Sequence, residues 1–328
     1  MNAEFLARLV QAQTEEEKDW LLAELSLSVL SPELRAMALA AAVPHWFDAN
    51  ILAALQPDLA QQAEALYLEL QHLPFVERFA DRGHNIHERT RKAVLKHLWE
   101  TDEEAFKQFS QRLVDYFGAE NTNRIEQIYH AAIADFEAGS SQFERYITSL
   151  DHNFRRGEAE ALLAAVQELV EAKRVPESFA ADVVYWFGRI HFRFYEAQEA
   201  LSRYDTALKL YEQVGAKLGK ANTLQAIGDV ALANEHYPEA LQYYRQALAL
   251  VEQIHDLYST ARVCYCIGTA YAKQGDKPEA ILAFTTAASI CRNIKLEDLA
   301  QFCERAIQEI DNPKNIKSQA NYPILYPH

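Results

Sequence analysis

The apolar and polar positions divide the chain into short helical stretches interrupted by turn residues. Phe5–Gln13 forms one apolar stretch. Thr14-x-x-Glu17 is a capping box, in which side chain and backbone satisfy each other at a helix start, and it opens a second helix through Trp20, Leu21, Leu22 and Leu25. Ser31-Pro32-Glu33 supplies a cap and a proline at the first helical position for Leu34–Val43, which Pro44 ends. His45–Leu55 and Leu59–Leu73 are expected as further helices, the second with Ala63, Leu66 and Leu70 on one face. The periodicity then changes. Pro74–Phe79 alternates, Asp81-Arg82-Gly83 signals a turn, and Asn85-Ile86-His87 returns as a short strand. Helix resumes over Thr90–Trp99, and Thr101-x-x-Glu104 reads as a second capping box before the stripe Phe106, Phe109, Leu113, Tyr116 and Phe117. Gly118–Asn123 is the expected domain boundary. Beyond it, Ile125–Phe136 pairs with Gln142–Phe154 as a degenerate first unit, and Glu158–Lys173 follows.

From Ala181 the pattern repeats. Gly188, Ala200, Tyr204 and Ala207 recur 40 residues later as Gly228, Ala240, Tyr244 and Ala247, and again as Gly268, Ala280, Phe284 and Ala287. Small residues let two helices approach closely, and the aromatic fills the space beside them. One such unit cannot bury its apolar face alone, so the units at 181–220, 221–260 and 261–300 must stack into a solenoid. Leu296–Ile310 supplies a closing helix. The tail 312–328 carries Pro313, Pro323 and Pro327 and is expected to be irregular, with the apolar run Tyr322–Pro327 lying back on the last helices.

These residues resemble the tetratricopeptide repeat family: an apolar residue before Gly (Phe187-Gly188, Ile227-Gly228, Ile267-Gly268), a later Ala, an aromatic four on and an Ala three after that. Tyr271 fits the family's aromatic three after the Gly, whereas His191 and Ala231 depart from it. The family's usual period is about 34 residues. The six extra residues per unit lengthen its two helices by roughly a turn in total at ~1.5 Å each. The segment 40–99 resembles the winged-helix domain of STAND-type signalling ATPases through Ala41-x-x-Pro44-x-Trp46-Phe47-Asp48, Leu70-x-x-Leu73-Pro74-Phe75-Val76 and Ile86-His87-x-x-x-Arg91-x-x-x-Leu95. The expected fold is therefore all-α: a helical domain over 1–118, winged-helix-like at about 31–99 with one small β-hairpin, then a tetratricopeptide-type solenoid over 119–311.

The resemblance implies that the first helix of each unit lines a concave, partner-binding face. Those positions are Asp182, Tyr185, Arg189, Phe192 and Arg193; then Asn222, Gln225, Asp229, Leu232 and Ala233; then Arg262, Tyr265, Thr269, Ala272 and Lys273. Four cations against two acids make this face net +2 on a chain of net charge −15, which suggests an acidic peptide as partner. The Lys/Asn clamp that some relatives use for chaperone tails is absent, since its positions hold Tyr185, Arg189, Gln225 and Asp229.

Composition bears on the alternatives. The overall charge opposes general nucleic-acid or anionic-membrane binding. The longest apolar run, Ala36–Val43, is too short to span a bilayer, and Met1–Val10 is no secretory signal, so a soluble cytoplasmic protein is expected. Cys264, Cys266, Cys291 and Cys303 contain no CxxC pair and read as buried thiols. No phosphate-binding GxxxxGK[ST] occurs. Gly215–Ala221 is one residue short between its glycines and lies in a linker between units. His84 and His87 fall on a hairpin edge, where they need not converge on a metal. No nucleophile–base motif is present, so no enzymatic activity, cofactor or metal is expected.

A secondary basic cluster, Arg78, Arg82, Arg89, Arg91, Lys92 and Lys96, could meet an acidic protein surface. The helix that would enter a DNA groove, Leu59–Leu73, carries Glu64 and Glu69 and no Lys or Arg. Three readings follow: a non-catalytic interaction module, an adaptor in bacterial signalling; a winged-helix transcriptional regulator; or a companion piece of a STAND ATPase.

Overall fold

The computed structural model describes residues 3–120 and 123–310. The expected tail 312–328 lies outside the described residues. The protein is 80% helical, with 17 α-helices and one two-stranded sheet among the described residues. It divides into two compact units, residues 1–149 with 171–175, and residues 150–170 with 176–328.

In the first unit, α1 (Ala3–Gln11) and α2 (Glu15–Ser28) lead to α3 (Pro32–Ala41). The expected caps form. Glu17 N–H donates to Thr14 Oγ1 at 3.1 Å while Thr14 N–H donates to Glu17 Oε2 at 3.3 Å, and Ser31 Oγ accepts from Leu34 N–H at 3.2 Å. The expected helix His45–Leu55 starts later, as α4 (Ala49–Leu55), because Asp48 caps Ile51 N–H at 2.8 Å. The residues before it bend, and Phe47 forms an antiparallel bridge with His84. The expected helix 59–73 is also shortened. Pro57–Gln62 forms a 3-10 turn, and α5 spans Ala63–Leu70, burying Ala63, Leu66 and Leu70.

The hairpin is β1 (Val76–Phe79) and β2 (Gly83–Ile86), antiparallel with Val76 opposite Ile86 and Phe79 opposite Gly83. Next come α6 (Glu88–Thr101), α7 (Glu103–Glu120), α8 (Arg124–Ala134) and α9 (Phe136–His152), and the division between the two units falls inside α9. The second capping box is shifted by one residue. Thr101 is the last residue of α6, and Asp102 caps α7 by accepting from Ala105 N–H at 3.0 Å. The carboxylate of Asp102 takes the capping role that was expected of Thr101. The degenerate pair is also displaced: α9 begins at Phe136 rather than Gln142 because Asp135 caps Ala138 N–H at 3.1 Å.

In the second unit, α10 (Arg156–Glu171) precedes three helix pairs: α11 (Glu177–Arg193) with α12 (Ala197–Gln213), α13 (Lys217–Ala233) with α14 (Tyr237–Gln253), and α15 (Leu257–Gln274) with α16 (Lys277–Asn293). The helix α17 (Glu297–Glu309) packs along α16. Each pair is closed by the predicted contact. A Cβ at Gly188, Gly228 or Gly268 would lie 2.6–2.7 Å from a ring carbon of Tyr204, Tyr244 or Phe284 respectively. The partner alanines at 200, 207, 240, 247, 280 and 287 are fully buried. The first helices also touch one another, α11 on α13 and α13 on α15.

The turns repeat as strictly as the helices. Tyr195, Glu235 and Gly275 within pairs, and Gly215, His255 and Lys295 after pairs, all adopt left-handed φ of 57° to 92°. Each lets the next residue's N–H reach back to close the helix end, as in Glu196 to His191 O at 3.0 Å and Asp256 to Val251 O at 3.0 Å. Only two of the six are glycine, so the turn geometry is imposed by the stacked helices, not chosen by local preference.

Candidate functional site

The residues predicted to line the repeat face come from α11, α13 and α15, whose equivalent positions stack at 40-residue intervals. Polar side chains there pair across repeats. Arg262 on α15 donates from Nε to Gln225 Oε1 at 2.9 Å and from a terminal nitrogen to Asn222 Oδ1, both on α13. Arg189 and Arg193 on α11 converge on a single carboxylate, Asp151, at 2.7 and 3.1 Å. Asp151 is only 1% exposed. The two guanidinium groups also sit over rings, Arg189 over Trp186 at 5.3 Å and Arg193 over Phe154 at 4.6 Å. Sequence reasoning did not single out Asp151, because it lies outside the clear repeats and its role follows only from where α9 ends.

The acids of this face are held as well. Tyr211 Oη donates to Asp182 Oδ1 at 2.6 Å, and Tyr244 Oη to Asp229 Oδ1 at 2.7 Å. Tyr244 therefore has two roles: its ring seats against Gly228 and its hydroxyl fixes the neighbouring Asp229. Burial pushes the Asp229 carboxyl up to about 6, against the hydrogen bond from Tyr244 and the charges of Arg189 and Arg262, which pull it down. Burial likewise raises Asp182.

Because the folded-state value of Asp229 lies above its ordinary 3.8, the stabilisation from its protonated form is full below about pH 4 and is lost as pH rises through about 6. Asp229→Asn fixes the neutral form and keeps an acceptor for Tyr244. It should stabilise the protein by about 3 kcal/mol at pH 7.5, since each tenfold change in a protonation equilibrium is worth ~1.4 kcal/mol, and by nothing measurable near pH 4. Urea midpoints of both proteins at the two pH values test this; equal midpoints at pH 7.5 would contradict it.

Two predicted face residues are placed differently. Tyr265 is 5% exposed and packed between Phe284 and Phe302, with ring centroids at 5.0 and 5.1 Å, so it is part of the core and not of an open surface. The tyrosine at this position is drawn inward because α17 follows the last pair and supplies Phe302. Leu232 is also buried, whereas Tyr185 and Phe192 are half-buried and Lys273 is exposed. The predicted cationic excess is reduced by Asp151, from +2 to +1 by adding one acid to the sequence count.

The secondary basic cluster is largely engaged in internal contacts. Arg91 is buried and donates to Pro44 O and Val43 O at 3.3 and 3.4 Å, which removes it from any surface. Arg89 forms a two-point pair with Asp19 at 2.7 and 3.1 Å, and Lys92 pairs with Glu88 at 2.6 Å. Arg82 lies over Trp46 at 5.7 Å, Arg78 is exposed on β1, and Lys96 stands near Glu17. His84 accepts or donates at Tyr67 Oη, 2.8 Å away, while His87 faces Glu77 at 3.8 Å, so the two histidines do not converge. Gly215 occupies the turn before α13, and Lys220 in α13 pairs with Glu212. A buried cluster that sequence reasoning missed joins His45 to Glu126 at 2.8 Å and Glu126 to His130 at 3.4 Å. Burial works to raise Glu126, but the two histidines outweigh it and hold the carboxyl well below its usual range.

Helix pairs of nearly constant length, a Gly–aromatic contact in each and first helices stacked on first helices define a tetratricopeptide-type helical solenoid. Residues 179–253 match the tetratricopeptide repeat family. Among solved structures, BtubC (BKLC) from P. vanneervenii is 17% identical, with a TM-score of 0.46 over 67% of this chain and 95% of that one. A Rap protein complexed with competence and sporulation factor is 19% identical, with a TM-score of 0.45 over 83% and 74%. The STAND protein PH0952 from Pyrococcus horikoshii, which has a tetratricopeptide repeat sensor, is 14% identical, with a TM-score of 0.44 over 96% of this chain and 53% of that one. No curated protein sequence matches the chain. No helix among the described residues is long and apolar enough to cross a membrane.

Proposed function

We propose that the protein is a non-catalytic interaction module, an adaptor that holds a protein partner on the face formed by α11, α13 and α15. The observation that carries this reading is the set of polar pairs between helices on that face, Arg189 and Arg193 with Asp151 of α9 and, across repeats, Arg262 with Asn222 and Gln225. These bonds fix long side chains before any partner arrives, which lowers the entropy cost of binding. A guanidinium carries five N–H donors in a rigid fork and can hold a neighbour and a ligand carboxylate together. The partner is therefore read as an extended or helical peptide bearing Asp or Glu, set against Arg193, Arg262 and Lys273 with Tyr185 and Phe192 giving flat contact.

The order helix, bridge strand at Phe47, two helices, hairpin and helix supports a winged-helix-like reading of residues 31–99. The internal pairing of its basic residues and the exposed Glu64 and Glu69 of α5 argue for a structural or protein-docking role there over DNA recognition. The test begins with affinity purification from the source organism. Arg262→Glu should then weaken recovery of the partner by about 2 kcal/mol or more, because attraction becomes repulsion. Added salt should weaken wild-type binding too. Lys209→Glu on exposed α12 should change little. Equal recovery by the Arg262→Glu protein, folded by circular dichroism, would move the site off this face.

A further inference from the structure

We propose that His45, Glu126 and His130 form a buried latch that closes on a single proton and clamps α8 to the bend after α3. Glu126 lies in the first turn of α8 and His130 one turn later, while His45 belongs to the bend. His45 Nδ1 stands 2.8 Å from Glu126 Oε1, and His130 Nε2 stands 3.4 Å from Glu126 Oε2. The carboxylate thus spans the two imidazoles with one oxygen toward each. The side chain of Glu126 is 7% exposed, that of His130 0% and that of His45 21%. The Tyr129 ring lies edge-on to both imidazoles, with centroids at 4.6 and 4.9 Å. Arg91 of α6 fixes the same bend through Val43 O and Pro44 O.

The proton count follows from charge. A carboxylate in so dry a place needs one opposite charge and cannot balance two. Protonated His45 supplies that charge at the shorter distance. A second proton, on His130, would leave a net positive charge where water does not reach. Among the described residues, the charges acting on His130 are Glu126, His45 and Arg91. Burial is the largest influence on it and holds the imidazole below its ordinary 6.5, although Glu126 pulls the other way. Apolar groups of similar volume often serve stability as well as a buried ionic cluster does. What the charged cluster adds is a response to pH.

That response has two limbs. Once α8 opens, both imidazoles titrate as ordinary ones. Below pH 6.5 the open state binds a second proton that the closed state refuses, so acid favours opening. Above pH 6.5 the open state has given up the proton that the closed state keeps, so alkali favours opening as well. Closure is therefore tightest near pH 6.5. With one proton held in the closed state, the open fraction rises about eightfold on going to either pH 5.0 or pH 8.0. His84 and His97, in the same unit, are also lowered by burial and respond to acid alone, so they cannot give this shape.

Hydrogen exchange of the full-length protein reads the opening. Peptides covering 128–134 are followed by mass spectrometry and corrected for the intrinsic exchange rate at each pH. Protection should be greatest near pH 6.5 and fall about eightfold at both pH 5.0 and pH 8.0. His130→Phe should lose the acid limb and keep the alkaline one. Glu126→Gln, which keeps the shape and removes the charge, should do the reverse. Where either variant folds poorly, the wild-type profile decides by itself. A flat or one-sided wild-type profile overturns the proposal, as does an acid limb that survives in the His130→Phe protein.

Discussion

Gly228→Leu should lower the stability of the repeat unit by more than about 3 kcal/mol, at or above the upper end of the usual ~1–3 kcal/mol cost of overpacking. The reason is local and geometric. A Cβ alone at this position would lie 2.6 Å from one carbon of the Tyr244 ring and 2.8 Å from another. The ring cannot move aside freely, because Tyr244 is fully buried and its hydroxyl is bonded to Asp229. The ring contact excludes even alanine, so Gly228→Ala should also destabilise measurably. Gly157 provides the contrast. It lies in α10, and nothing stands within 4 Å of its would-be Cβ. Gly157→Ala should be neutral or stabilising by up to ~1 kcal/mol, the ordinary helix-propensity gain. Urea denaturation followed by circular dichroism compares the three. A Gly228→Leu midpoint matching wild type would mean that the helix pair is not closed as described.

The repeat was legible because its packing rule acts within a unit. Gly188, Gly228 and Gly268 must be small where an aromatic sixteen residues later lands on them, and a one-dimensional spacing captures that contact in full. The hairpin was legible for a similar reason, since alternation and a turn at Asp81–Gly83 are local signals. Helix starts were less so. At Asp48, Asp102 and Asp135 a short acid caps the backbone, and each moved an expected boundary by one to six residues. The candidate face was only half legible. Its positions followed from the register, but their charge state did not, because Asp151 enters from α9 outside the repeat pattern. Tyr265 was misplaced for the complementary reason: equivalence to Tyr185 holds in sequence, whereas the neighbour that buries it, Phe302, belongs to the helix after the last repeat. Register says where a side chain starts, and the next element decides whether water reaches it.

Asp151→Ala should cost about 3 kcal/mol, the largest effect expected from removing a single charge in the second unit. Asp151 accepts from both Arg189 and Arg193 while 1% exposed, and so satisfies two cations from a buried position. Removing one member of a buried pair typically costs about 3–5 kcal/mol because the partner charge is left uncompensated. Here the lower part of that range applies, since the arginine side chains are 18% and 20% exposed and can recover some water. Their contacts over Trp186 and Phe154 persist and soften the loss further. Asp151→Asn, which keeps the shape and an acceptor but not the charge, should cost roughly half as much. The distinguishing variant replaces all three residues, Asp151→Leu with Arg189→Met and Arg193→Met. Well-packed apolar groups of similar volume often recover the stability of a buried ionic cluster, so this triple variant should fold at least as well as Asp151→Ala while presenting no charge at that end of the face. If it recovers stability but loses the partner, the cluster serves recognition. If Asp151→Ala costs less than ~1 kcal/mol, the cluster behaves as an exposed surface pair would, and the preorganised set of polar pairs that supports the proposed binding face is lost with it.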